Sequence, residues 1–101
     1  MPHESVDALL RSAIAQRRLI RFDYQGRERI VEPHDYGVKG GAASLLAFQV
    51  DGASSSSLPG WRMFRVPQLR GLVLLPDTFP GSRGAEHREH YAWDVLFARV
   101  R

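Results

Sequence analysis

Apolar residues recur at Val6, Leu9, Leu10, Ala13 and Ile14, the i, i+3, i+4, i+7, i+8 spacing of one buried helical stripe. This predicts a helix over residues 5–18, with Ser5 as its N-cap and Asp7 in its first turn. Arg17 and Arg18 follow where cations complement the negative helix end. The periodicity then changes to two. In residues 19–24, Ile20, Phe22 and Tyr24 share one side, and Arg21 and Asp23 take the other. Gln25-Gly26 reads as a tight turn into a second strand over Arg27–Val31, where Arg27 and Arg29 share a side away from Glu28. Pro33 has no N–H for a ladder, so the strand bends or moves to an edge there, and Tyr36-Gly37-Val38 continues extended to a turn at Lys39-Gly40-Gly41.

Residues 44–50 are almost all apolar and predict a central third strand. A loop follows over 51–60, marked by Asp-Gly, four serines and Pro-Gly. The fourth strand, 61–66, places Trp61, Met63 and Arg65 on one side and Arg62, Phe64 and Val66 on the other. After Pro67, residues 69–75 supply a fifth. Residues 80–84 form a break. The segment 85–99 carries apolar residues on more than one helical stripe, so it is either a deeply packed helix or part strand. With Trp93, Leu96 and Phe97 it is too apolar to stay in water, and it is expected to dock on this domain or on another copy. The expectation is a mainly β fold with an N-terminal α-helix. Five short strands must hide their edges, which predicts a small five-stranded antiparallel barrel with a C-terminal docked segment. The parts are a helix at 5–18, a barrel at 19–79 and an extension at 80–101, in one domain.

A chain of 101 residues has surface for one small core, and its 44% hydrophobic and 25% charged content is that of a globular domain. No apolar run nears the roughly 18 residues of a membrane span. The first residues lack a basic, then apolar, leader pattern. There are no cysteines, which excludes disulfides, thiolate metal sites and cysteine nucleophiles, and the expected compartment is cytoplasmic.

Charge adds one feature. Of the 14 basic residues only Lys39 is a lysine, and with 11 acids the formal charge is +3. Arginine forks match phosphates, carboxylates and base edges and stack on aromatic rings, so a phosphate-bearing partner is permitted. Arginine-rich codon usage is the alternative source of the bias.

Catalytic chemistry finds little support. His87 and His90 with Glu86 or Glu89 are the one local set of metal-ligand types, but the spacing is not H-E-x-x-H and a solvated face is preferred; no metal and no cofactor are expected. Ser54–Ser57 lack a G-x-S-x-G elbow, a held base and oxyanion donors. Glycines 37, 40 and 41 lack the helix and Lys-Ser/Thr of a phosphate loop. No enzyme is expected. The arginines 62, 65, 70, 21, 27 and 29, interleaved with Tyr24, Tyr36, Trp61 and Phe64, are the best functional set, with guanidiniums for phosphates and rings for stacking on bases. The competing reading makes the rings core and the arginines ordinary solvent-facing positions.

The motif order "AIAQRRLIRFDYQGRERIVEPHDYGV", "SLLAFQV", "GWRMFRVPQLRGLVLLPDTF" resembles the WYL domain of bacterial transcription regulators over roughly residues 8–79. The most specific parts are the strand ending at Tyr24 with Val31-Glu32-Pro33-His34 after the turn, then Phe64-Arg65-Val66 at the family's terminal "F-R-L" strand. The resemblance implies an SH3-like or Sm-like barrel and a ligand-sensing role, with Arg65 carried over and His34 near the ligand surface. The chain departs from the family at Ala43-Ser44-Leu45, where only the leucine of the Trp-Tyr-Leu tripeptide remains, and at Gln68-Leu69 in place of Arg-Ile.

The expected function is thus a non-catalytic regulatory module that binds a nucleotide or single-stranded nucleic acid through Arg62, Arg65, His34, Tyr24, Arg27 and Arg29. Only seven residues precede Ala8, too few for a helix-turn-helix, so the signal is expected to pass to a transcription-regulator partner. The alternative is a protein-interaction domain that has lost the ligand surface and forms a homo-oligomer through its C-terminal segment.

Overall fold

A computed structural model of the chain describes residues 5–52, 60–83 and 93–101. Ser54–Ser57, His87 and His90 lie outside the described residues. Among the described residues one helix, α1 (Val6–Gln16), precedes six strands: β1 (Arg18–Tyr24), β2 (Arg27–Lys39), β3 (Ala42–Gly52), β4 (Gly60–Arg65), β5 (Arg70–Thr78) and β6 (Val95–Arg99). The Ser5 hydroxyl accepts from the Ala8 amide at 3.1 Å, as an N-cap should. Arg17 ends the helix in the left-handed region, φ 53°, with its N–H on the Ala13 and Ile14 carbonyls. The helix is therefore shorter than expected, and Arg18 already belongs to β1.

All strand pairs are antiparallel, in the order β4-β3-β2-β1-β5, with β6 added beside β2. Two tight turns set the register. Gln25-Gly26 and Gly40-Gly41 all have positive φ, the requirement of a two-residue turn whose twist suits a hairpin.

β2 organises the rest. Its first half pairs with β1 (Ile20 opposite Val31, Tyr24 opposite Arg27) and its second half with β6 (Asp35 opposite Arg99, Val38 opposite Val95), while β3 runs along the other side. The expected interruption at Pro33 is a bulge: Pro33 faces Ala47, but Asp35 already faces Leu46. Before the bulge the odd-numbered residues of β2 face the core. After it Tyr36, opposite Leu45, does. Pro33 is fully buried, so the strand bends there without becoming an edge.

The predicted closed barrel is not observed. The sheet is open, with β4 and β5 as the two ends of its path and no ladder between them. The two end strands are joined by a 3₁₀ turn, Val66–Gln68, where Pro67 has no N–H and the Leu69 amide bonds the Val66 carbonyl. A sixth strand, missed in the count of five, comes from the C-terminal segment. It docks on the chain itself by adding to β2 rather than by bridging the ends.

Leu10, Ala13 and Ile14 of α1 join Ile20, Phe22, Val31, Leu45, Phe64, Leu69, Phe79 and Val100 in one core. Phe22 and Phe64 meet edge to face at 4.9 Å, and burying each stabilises the fold by roughly 1.5–3 kcal/mol. β6 is held by a close approach at Gly37, where any Cβ would strike the Val95 carbonyl and sit 3.0 Å from Leu96 Cα. It is also held by Arg99, whose Nε and Nη2 bond the two carboxylate oxygens of fully buried Asp35 at 3.0 and 3.2 Å.

The Tyr36 hydroxyl ties β2 to α1 by donating to Asp7 at 2.8 Å. Burial first, and then that bond, raise Tyr36 from 10.0 to about 12. The folded state thus prefers the neutral phenol. Its contribution is complete below the unfolded value near 10 and is lost as pH rises toward 12. In urea titrations the wild-type midpoint should fall between pH 10 and 12 more than that of Tyr36→Phe; parallel profiles would contradict this linkage.

Candidate functional site

Cross-strand partners share a face, and the register brings four predicted residues together. Phe22 lies opposite Arg29, Tyr24 opposite Arg27, Ala47 opposite Arg62 and Leu45 opposite Phe64. Arg27, Arg29, Arg62 and Tyr24 therefore lie on the face that carries the core, along the stretch where apolar residues give way to polar ones. Gln49, opposite Val31, completes the set.

Arg29 is its centre. The residue is 6% exposed, and its guanidinium lies 5.7 Å from the ring centres of both Tyr24 and Phe64. Nη1 donates to the Gln49 side-chain oxygen at 3.2 Å, and Gln49 is in turn held by its own amide on the Asp51 carbonyl. Nε is buried and has no hydrogen-bond partner among the described residues. Burial, followed by repulsion from Arg27 and from Arg62, lowers Arg29 from the ordinary arginine value, with Tyr24 acting the other way. Among the described residues no ion pair to a carboxylate offsets it. A buried charge held by one neutral amide is under-compensated, and an anion brought beside the guanidinium would supply the missing charge.

Arg65 lies on the opposite face, beside Ser44, and is exposed. Tyr24 links it to the cluster: its ring packs against Phe64 at 5.0 Å, and its hydroxyl accepts from the Arg65 amide at 3.2 Å. Tyr24, Lys39, Gly40, Ser44, Met63 and Arg65 line a cavity of about 350 Å³. The carried-over arginine thus shares a hollow with the chain's one lysine, adjoining the cluster through one tyrosine.

His34 is not brought to this cluster. It is fully buried at the bulge, stacked on Phe79 and edge-on to Trp61, with Nδ1 2.9 Å from the Glu32 carbonyl and Nε2 accepting from the Arg83 amide at 3.4 Å. Nδ1 then carries the proton. Of the other arginines considered, Arg21 pairs with Glu28 at 2.6 Å on the far face, and Arg70 bonds the Pro67 and Leu69 carbonyls. Arg83, unremarked in the sequence, grips Glu32 with two bonds and stacks over Phe48 at 4.0 Å. That bond to Glu32 raises Arg83 above the ordinary arginine value.

Gln49 and Lys39 were not anticipated as site residues. Gln49 had a signal, being the polar member of an otherwise apolar central strand; Lys39 was absorbed into a turn. Among the described residues no three metal-ligating side chains lie together, and no helix is long and apolar enough to cross a membrane.

Methionine keeps much of arginine's stem and removes both the charge and the unpartnered nitrogen. Arg29→Met should leave stability unchanged or raise it by about 1 kcal/mol in urea denaturation, as for other buried charges replaced by apolar groups. A loss of more than about 1 kcal/mol would make Arg29 a structural residue.

No curated protein and no solved structure matches this chain. Residues 6–74 match the family model of the WYL domain, a span from the start of α1 to Leu74 in β5 that includes Tyr24, Arg27, Arg29, Arg62 and Arg65. The sheet that carries the arginine cluster is thus the matched part, while β6 lies beyond it. The chain belongs to the WYL domain family, whose members are generally regulatory, ligand-sensing domains of transcription regulators.

Proposed function

We propose that this WYL domain senses a nucleotide or nucleic-acid-like anion through Arg27, Arg29 and Arg62, and passes that state to a transcriptional partner. Tyr24 sets Arg29 on one side and Arg65 on the other, so a ligand with two phosphates would reach both the cluster and the adjoining cavity. His34 supports the wall from behind, since its ring nitrogens are engaged within the fold. The observation that carries the reading is the buried Arg29 guanidinium, with one nitrogen unpartnered and two further arginines close enough to repel it. A purely structural arginine would be expected to carry a carboxylate, as Arg83 and Arg99 do.

The test is fluorescence anisotropy of a labelled single-stranded oligonucleotide. Binding is expected at low salt, with log K falling against log salt by about 0.7 per phosphate contacted. Arg29→Met and Arg62→Gln should each weaken it about tenfold or more. Arg21→Gln, whose guanidinium is held by Glu28, should change little. Salt-independent binding, or binding untouched by Arg29→Met, would reject the site.

Self-association is the second reading, favoured by the 50% exposure of Val95 and 39% exposure of Leu96 on β6. A dimer in light scattering that disappears in Leu96→Asp, with no oligonucleotide bound at low salt, would favour it.

A further inference from the structure

A second concentration of arginine lies away from the cluster, where α1 meets β6. A cleft of about 430 Å³ is lined by four guanidinium-bearing residues, Arg11, Arg17, Arg99 and Arg101. Its apolar lining is Ile14, Ala15 and Ala98. The helix residues come from one face of α1, since 11, 14 and 15 stand at i, i+3 and i+4. Two of the four charges are already balanced. Arg11 bonds Asp7 at 3.0 Å, and Arg99 bonds buried Asp35.

Arg17 and Arg101 carry no carboxylate side chain among the described residues, yet both are held in place. Arg17 is fixed by its left-handed helix cap and by an Nη1 bond to the Pro80 carbonyl at 3.1 Å. The Arg101 carbonyl accepts from the Ser82 amide at 3.2 Å, and Gly81 packs against it so closely that a Cβ there would collide. The turn at 80–82 therefore fastens both positions. One cation at this point complements the negative end of α1; a second, beside two more that are already paired, exceeds what the helix requires.

We infer that the α1–β6 cleft is a binding site for a small phosphorylated molecule, with its phosphate between Arg17 and Arg101 and its organic part over Ile14, Ala15 and Ala98. The Arg17 fork, fixed by its bond to Pro80, and the side chain of Arg101, whose backbone is fixed by the 80–82 turn, match the oxygens of a phosphate, and the apolar lining matches a short carbon skeleton. The site shares no residue with the Arg27–Arg29–Arg62 cluster and does not rest on the function proposed above. Three of the four arginines and the turn that fastens them lie at or beyond the helix end, so the site joins the matched region to the C-terminal segment. Occupancy would couple β6 to α1.

Inorganic pyrophosphate is the probe, titrated into the full chain at low salt by calorimetry. The expected result is saturable binding that includes one equivalent weakened at least about tenfold in both Arg17→Gln and Arg101→Gln and retained in Arg29→Met, where any equivalent held by the sheet cluster is lost. Both glutamine changes are at exposed positions, and circular dichroism should match the wild type. Oligonucleotide binding should survive in both, which separates this site from the one on the sheet. Absence of saturable binding, a dissociation constant unaltered by either glutamine change, or loss of that equivalent in Arg29→Met would overturn the inference.

Discussion

An extended strand shows its side chains alternately to two faces, and one extra residue exchanges those faces from that point on. β2 uses this once, at Pro33-His34. Up to the bulge it presents Arg27, Arg29 and Val31 to the side where β1 and β3 put their apolar residues. Beyond it Tyr36 takes the core position against α1, and Asp35 turns away to meet Arg99 of β6. Without the bulge a carboxylate would point at the core, and the tyrosine that ties down the helix would face outward. The same shift lets β1 and β6 share one edge of β2, which gives the C-terminal segment a place to dock.

The bulge also sorts the buried charges. Among the described residues, three that carry formal charge are buried: Glu32, Asp35 and Arg29. Each acid is answered by two bonds from one arginine, Glu32 by Arg83 and Asp35 by Arg99. The burial cost of a carboxylate is met in kind. Arg29 receives one neutral amide oxygen and the flanks of two rings, with like charges beside it. A fold that pairs its acids so closely but leaves its buried base short of an anion holds an electrostatic vacancy of a defined sign. That asymmetry fits a sensing domain, in which ligand binding and stability are linked: whatever anion fills the vacancy stabilises the folded state in proportion to its concentration over its dissociation constant.

Much of this could be read in the chain. Strand faces follow from the period of two, so the shared side of Arg27 and Arg29 and the split of Arg62 from Arg65 are legible in the sequence. Ser5 as a cap and the two glycine turns were visible for local reasons. The closed barrel was not obtained, because closure depends on whether the two end strands meet, and no local pattern in the chain reports a contact between its end strands. His34 was placed near a surface by sequence neighbours. Its burial is a consequence of the bulge, of Phe79 and Trp61, and of Arg83 about fifty positions away, and none of these tertiary contacts leaves a periodic trace. The part-strand alternative for the C-terminal segment holds at 95–99, where pairing to β2 and the smallness of Gly37 decide the matter.

The central claim is that the Arg29 charge awaits an anion. Proton–nitrogen correlation spectra of the arginine Nε–H groups report on that atom directly. Titration with a single-stranded oligonucleotide should shift the Arg29 Nε–H signal downfield and slow its exchange with water, saturating together with binding, as a new bond to a phosphate oxygen requires. An Arg29 signal that stays fixed while the oligonucleotide saturates the protein would contradict the account.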